Sequence, residues 1–224
     1  MYISLAIKKS KEIFFDKIYQ ALFFIYLFVI PAATGIYVLA ESFVYVVLGE
    51  QWEMVTNYLG ILAFLMLPYA TQTVLHIVYD AFERTRVSLL TDLFGLVAII
   101  LLFYWLTPAN VTSFAHLRIF VGLSMLFISI GLVNLFIGFD LKKYILILFL
   151  PLALSSCMGY LVHVLNGYFE SAIANLFIMA IFGSLIYFSM LVLFFYTLFL
   201  FKPKAWLLSL IPQTIYSKLQ IFES

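Results

Sequence analysis

The chain has 224 residues, 66% of them apolar and only 10% charged, whereas about a quarter of a soluble domain is charged. One core cannot hide that much apolar surface, so the composition excludes a water-soluble globular protein and requires lipid to solvate much of the chain. The net charge is +1, from 12 basic and 11 acidic residues with no dense basic stretch, which leaves no electrostatic footprint for nucleic acid. A single cysteine, Cys157, excludes an internal disulfide and a cysteine-based zinc cluster.

Residues 2–18 mix Ile3, Leu5, Ile7, Phe14 and Phe15 with Lys8, Lys9 and Lys11. That pattern predicts an amphipathic segment over 1–18 lying on the inner membrane surface. The apolar run that follows far exceeds the 7–15 residues of a signal peptide's core, so it is expected to stay in the membrane as an anchor. A bilayer core needs about 20 mostly apolar residues in a helix. Six stretches meet that length, at 21–48, 54–79, 87–106, 117–139, 144–165 and 172–201. They do not alternate polar and apolar residues as barrel strands would, so the expected fold is an all-α integral membrane protein of about six transmembrane helices over 19–204. Pro31 and Gly35 predict a kink or tilt in the first span, and Pro68 lies inside the second. Residues 205–224, with Trp206, Leu207, Leu210, Ile215 and Leu219, are expected to form an amphipathic cytoplasmic tail.

Charge sorting sets the expected orientation. With the amino terminus cytoplasmic, eleven of the twelve basic residues fall on the inside and only Arg118 falls outside. Both termini are therefore expected in the cytoplasm.

Ionisable groups at membrane depth are functional candidates. Glu41 either lines a polar cavity or sits in the outer headgroup layer. Gln72, His76 and Asp80 are four apart, so they share one face of the second helix. Such a stripe must face other helices or water, whether for a substrate or for packing. Asp92 is expected to pair locally with Arg84 or Arg86. His116, Arg118 and His163 lie near outer ends, and Asn134 and Asn175 are suited to bonds between helices. No phosphate-binding glycine loop, H-E-x-x-H or G-x-S-x-G motif is present. No catalytic residue, cofactor or metal is expected, and the chain is not expected to be an enzyme.

Particular landmarks in 12–106 occur in a recognisable order. Pro31-Ala32-Ala33-Thr34-Gly35 is followed by Ala40-Glu41 and then by Val47-Leu48-Gly49-Glu50-Gln51-Trp52. Leu59, Leu62 and Ala63 come next, then Ala81-Phe82-Glu83-Arg84-Thr85. This order resembles the polysaccharide (O-antigen repeat-unit) flippases of the multidrug/oligosaccharidyl-lipid/polysaccharide exporter superfamily, with their Gly-x-x-Trp and Ala-x-Gly-Arg-Thr motifs. Glu83 stands where the family has its glycine. From residue 107 onward only the pattern of spans agrees.

The resemblance implies the last six helices of a fourteen-helix flippase in the bacterial inner membrane. It implies part of a transporter that moves undecaprenyl-diphosphate-linked oligosaccharide outward for surface polysaccharide such as lipopolysaccharide. A second chain or an amino-terminal lobe would complete it. Alternatives are a subunit of another oligomeric six-span transporter or channel, and a non-transporting remnant. Glu41, Gln72, His76 and Arg118 are the candidates for lining a substrate cavity, on polarity and position. Arg118 would face the pyrophosphate lipid or simply reach for headgroups.

Overall fold

Tyr2–Val38 forms one unbroken helix, α1, in the computed structural model, which describes residues 2–106, 111–168 and 171–200. The helix runs without interruption from within the segment expected over 1–18 into the first span. Phe15, Ile18 and Tyr19 are buried like Leu22 and Tyr26 further along. Phe15 stacks on Phe82 at 5.9 Å and meets Phe139 edge-on at 6.0 Å. These contacts pack the end of that segment against the bundle. The predicted tail at 205–224 lies outside the described residues.

Pro31 is accommodated within α1, and the helix breaks later, at Leu39, before α2 (Ala40–Val47). Gly49 turns the chain with φ of 92°, and its carbonyl accepts from the Trp52 N–H at 3.0 Å. A short 3₁₀ helix at Glu50–Val55 then leads into α3 (Thr56–Ala63) and α4 (Met66–Ala81). The gap between α3 and α4 follows from Pro68. Proline has no N–H to give the Phe64 carbonyl, and its ring crowds that carbonyl. The carbonyl instead accepts from Leu67 N at 3.3 Å, and Leu65 N turns to Leu62 O at 2.9 Å. The remaining helices are α5 (Thr85–Leu106), α6 (Val111–Ile137), α7 (Leu141–Leu165) and α8 (Ala172–Leu200).

The result is an all-α protein. Among the described residues, six helical stretches are long and apolar enough to cross a membrane: Lys11–Val38, Glu50–Ala81, Thr85–Trp105, Ser113–Ile137, Leu141–Leu165 and Ala172–Thr197. The first and second pack together as expected of neighbours joined by the turn at Gly49, and α1 also packs extensively on α7. At the centre, Tyr26 from α1 lies 2.6 Å from the Thr71 hydroxyl of α4 and donates to the Tyr144 hydroxyl of α7 at 3.0 Å. Leu22, Leu75, Val78, Val133 and Ile147 surround this polar knot. At one end Tyr19 holds the turn before α7, donating to Asp140 O at 3.3 Å and accepting from Asp140 N at 2.6 Å. α5 sits at the periphery against α6 and α4, with only 6% of its apolar window buried.

α4 ends in a motif that normally takes glycine. Arg84 N bonds to Tyr79 O at 2.8 Å and Glu83 N to Asp80 O at 3.0 Å, the paired bonds of a Schellman cap. Glu83 holds the left-handed position at φ of 57°. The tight turn therefore survives the absence of glycine, at a cost of about 1 kcal/mol for a side chain in this conformation. Glu83→Gly is expected to raise stability by about that amount, measured as the midpoint shift in denaturant titration of the detergent-solubilised chain. A destabilised Glu83→Gly chain would show that the side chain earns its place by some other contact.

Candidate functional site

α4, α5 and α6 enclose a cleft of about 410 Å³, lined with polar groups from all three helices. Its polar members are Tyr69 and Gln72 from α4, Thr91 and Asp92 from α5, and Arg118 from α6. Leu65 and Pro68, beside the α3–α4 gap, form part of its wall, so the proline that interrupts the second span also shapes the cleft. Asp92 stands seven residues into α5 and Arg118 seven into α6, each about 10 Å from its helix start. Asp92 lies seven residues into its apolar stretch and Arg118 five into its own.

The helical spacing read from the sequence brings the α4 stripe to this place. Gln72 is half-buried and its Nε2 lies 3.5 Å from Ser129 Oγ on α6. His76, one turn on, places Nε2 3.4 Å from Asp92 Oδ1 on α5. Asp80, at the end of the stripe, is exposed. Arg118 is half-buried and sits over the Tyr69 ring, its guanidinium carbon 5.3 Å from the ring centre. Thr91 is turned inward on itself, bonding Ser88 O at 2.6 Å and Val87 O at 3.1 Å.

Of the four predicted cavity residues, Gln72 and Arg118 line the cleft directly and His76 joins it through Asp92. Glu41 stands apart: it is exposed in the first turn of α2, beyond the break at Leu39. It shares its end of the bundle with Tyr45, whose hydroxyl donates to Glu50 Oε1 at 2.8 Å. That bond raises the Tyr45 phenol above its ordinary pKa.

The expected pairing of Asp92 with Arg84 or Arg86 does not occur. Arg84 precedes α5 and lies over the Phe136 ring at 5.4 Å. Arg86 is six residues from Asp92, about 240° round the helix, and so points away. Tyr69 was not singled out in the sequence, although its place three residues before Gln72 continues the stripe. Asn134, expected to bond between helices, is exposed on α6. Asn175 does bond across helices, to Ser42 Oγ at 2.9 Å.

Among the described residues, no group of three or more His, Cys, Asp or Glu is placed to hold a metal ion. The arrangement holds one cation, one carboxylate with its histidine, an amide and a phenol around a space within the apolar span. Such a set binds and orients a polar group by charge and hydrogen bonding. No family model, curated protein or solved structure matches the chain.

Proposed function

We propose that the chain is the carboxyl-terminal membrane unit of a transporter that moves lipid-linked oligosaccharide across the bacterial inner membrane, with both termini cytoplasmic. The observation that carries this reading is the polar cleft of α4, α5 and α6 within membrane-crossing helices. Charged groups at that depth are costly in lipid and mark a substrate path. The interrupted second span also suits the reading, because broken helices at membrane depth are typical of transporter binding sites. Undecaprenyl-diphosphate would offer phosphate to Arg118 and sugar hydroxyls to Gln72 and Tyr69, while its tail stayed in lipid beside the sparsely covered α5. A second lobe, from another chain or a preceding segment, would supply the opposite wall for alternating access.

A photo-crosslinking amino acid at Ile99, which lines the cleft, is expected to capture the lipid-linked glycan in membranes. The same group at Leu90, on the bare face of α5, should capture bulk phospholipid instead. Arg118→Ala should lower the glycan adduct about tenfold, the effect of losing one charge-assisted contact. Equal glycan capture at both positions, or none at Ile99, would sink the proposal. Phospholipid without glycan at Ile99 would favour a transporter or channel subunit of another kind.

A further inference from the structure

We infer that the α4–α6 cleft is built for a zwitterionic phosphate–amine headgroup of the phosphoethanolamine class, held between Arg118 and Asp92. The inference rests on the cleft being a polar binding site, as proposed above, and narrows what that site takes.

Two opposite charges share this cavity without meeting. Arg118 and Asp92 both line it, yet the contacts of a carboxylate with a basic side chain among the described residues are His76–Asp92 and Lys143–Asp16. Arg118 has no carboxylate within bridging distance there and only the Tyr69 ring beneath it. Unlike charges at membrane depth pair when they can, because separated ones are costly. α4 holds these two apart. Arg118 lies over Tyr69 and Asp92 contacts His76, and the seven-residue step from Tyr69 to His76 rises about 10 Å along α4. The two charges stand more than 4.0 Å apart, so a ligand that engages both must carry a negative and a positive charge on separate atoms. A phosphate and an amine joined by a short link meet that requirement, and a bare phosphate does not.

The chemistry of each end agrees. Asp92 turns Oδ1 toward His76, and its side chain remains 50% exposed. A carboxylate has acceptor capacity on both oxygens, so an ammonium can be received while the histidine contact is kept. Gln72 lies between the two ends on the same face of α4 and presents an amide to the headgroup. A ligand with phosphate alone would use Arg118 and leave Asp92 unmatched, and a purely cationic one would meet Arg118. The headgroup's source is either a phospholipid or a soluble or glycan-borne phosphoethanolamine.

The test is calorimetric titration of the full chain in uncharged maltoside detergent with short-chain phosphatidylethanolamine and phosphatidylglycerol. The ethanolamine lipid should bind about tenfold tighter. Asp92→Asn should abolish that preference while leaving the glycerol lipid bound, and Arg118→Gln should weaken both. The ligand can be altered as well, in case Asp92→Asn does not fold: N-acetylated ethanolamine lipid, which lacks the positive charge, should bind the unmodified chain about tenfold more weakly. Equal affinity for the ethanolamine, acetylated and glycerol lipids would overturn the amine assignment while leaving an anion site at Arg118. Failure of every headgroup to bind would overturn the cleft reading too. With the preference established, competition by free O-phosphoethanolamine identifies recognition of the headgroup alone, and absence of competition identifies the lipid form.

Discussion

Gly159→Ala is expected to destabilise the bundle by about 2–3 kcal/mol, the cost of forcing an extra group into a packed helix contact. A Cβ at Gly159 on α7 would lie 2.5 Å from Thr34 Cγ2 on α1, in the most extensive helix pairing of the fold. The threonine cannot easily turn aside. It is β-branched, which limits its χ1 choices, and its Oγ1 bonds Ile30 O at 2.9 Å. Rotating the methyl away would forfeit that bond, worth about 0.6 kcal/mol inside a membrane. Small residues at such crossings let backbones approach, and packing is the main force between helices in lipid. Thr34→Ser removes the obstructing methyl and keeps the hydroxyl. The double substitution Gly159→Ala with Thr34→Ser should therefore recover most of the loss, a coupling expected only between residues in contact. Unfolding in a graded detergent mixture measures all three chains. A neutral Gly159→Ala, or a loss that Thr34→Ser leaves unrepaired, would mean α1 and α7 do not approach as closely as the structure places them.

The number of spans was legible because each apolar run exceeds what a bilayer core requires, and lipid permits little besides helix there. The α3–α4 gap was legible in part, since Pro68 marks it chemically. The break at Leu39 was not, because neither proline nor glycine occupies it; Pro31, the residue that suggested a kink, is absorbed within α1. In the first 18 residues the long-range packing was likewise not legible. Lysines among apolar residues read as a surface helix, while burial of Phe15, Ile18 and Tyr19 against Phe82 and Phe139 depends on partners more than 60 residues away. Within the cleft, Gln72 and His76 could be placed on one face by spacing alone. What faced them could not: the rotation of α5 about its axis decides whether Asp92 meets an arginine or His76, and periodicity does not encode it in a helix apolar on nearly every side. Arg118 was visible as the one basic residue out of place in the charge sorting, and Tyr69 beneath it was hidden among many aromatics.

The break at Leu39 leads to the second large effect, because something must satisfy the backbone it exposes. Asn166 Nδ2 donates to Val38 O at 3.2 Å, at the last residue of α1. Asn175, buried on α8, donates to Asn166 Oδ1 at 2.7 Å and to Ser42 Oγ at 2.9 Å, and its own Oδ1 accepts from Gly167 N at 3.3 Å. One side chain thus ties α2, the turn after α7 and α8 together. Asn175→Leu is expected to cost about 2–3 kcal/mol, from three lost bonds of about 0.6 kcal/mol each and the desolvation of partners left unpaired. Asn134→Leu, at an exposed position on α6, should change stability by no more than about 0.5 kcal/mol. The same detergent unfolding compares them, and amide exchange adds a local readout: residues 39–48 should exchange faster in Asn175→Leu. Equal stability of the two variants would mean the asparagine network does not hold this end. The network touches neither α4 nor α5, so Asn175→Leu should leave crosslinking at Ile99 intact below its unfolding midpoint. That separation follows from the architecture, in which hydrogen bonds to an interrupted backbone secure one side of the bundle while Arg118 and Asp92 on the other side stay unbridged to each other and available for a ligand.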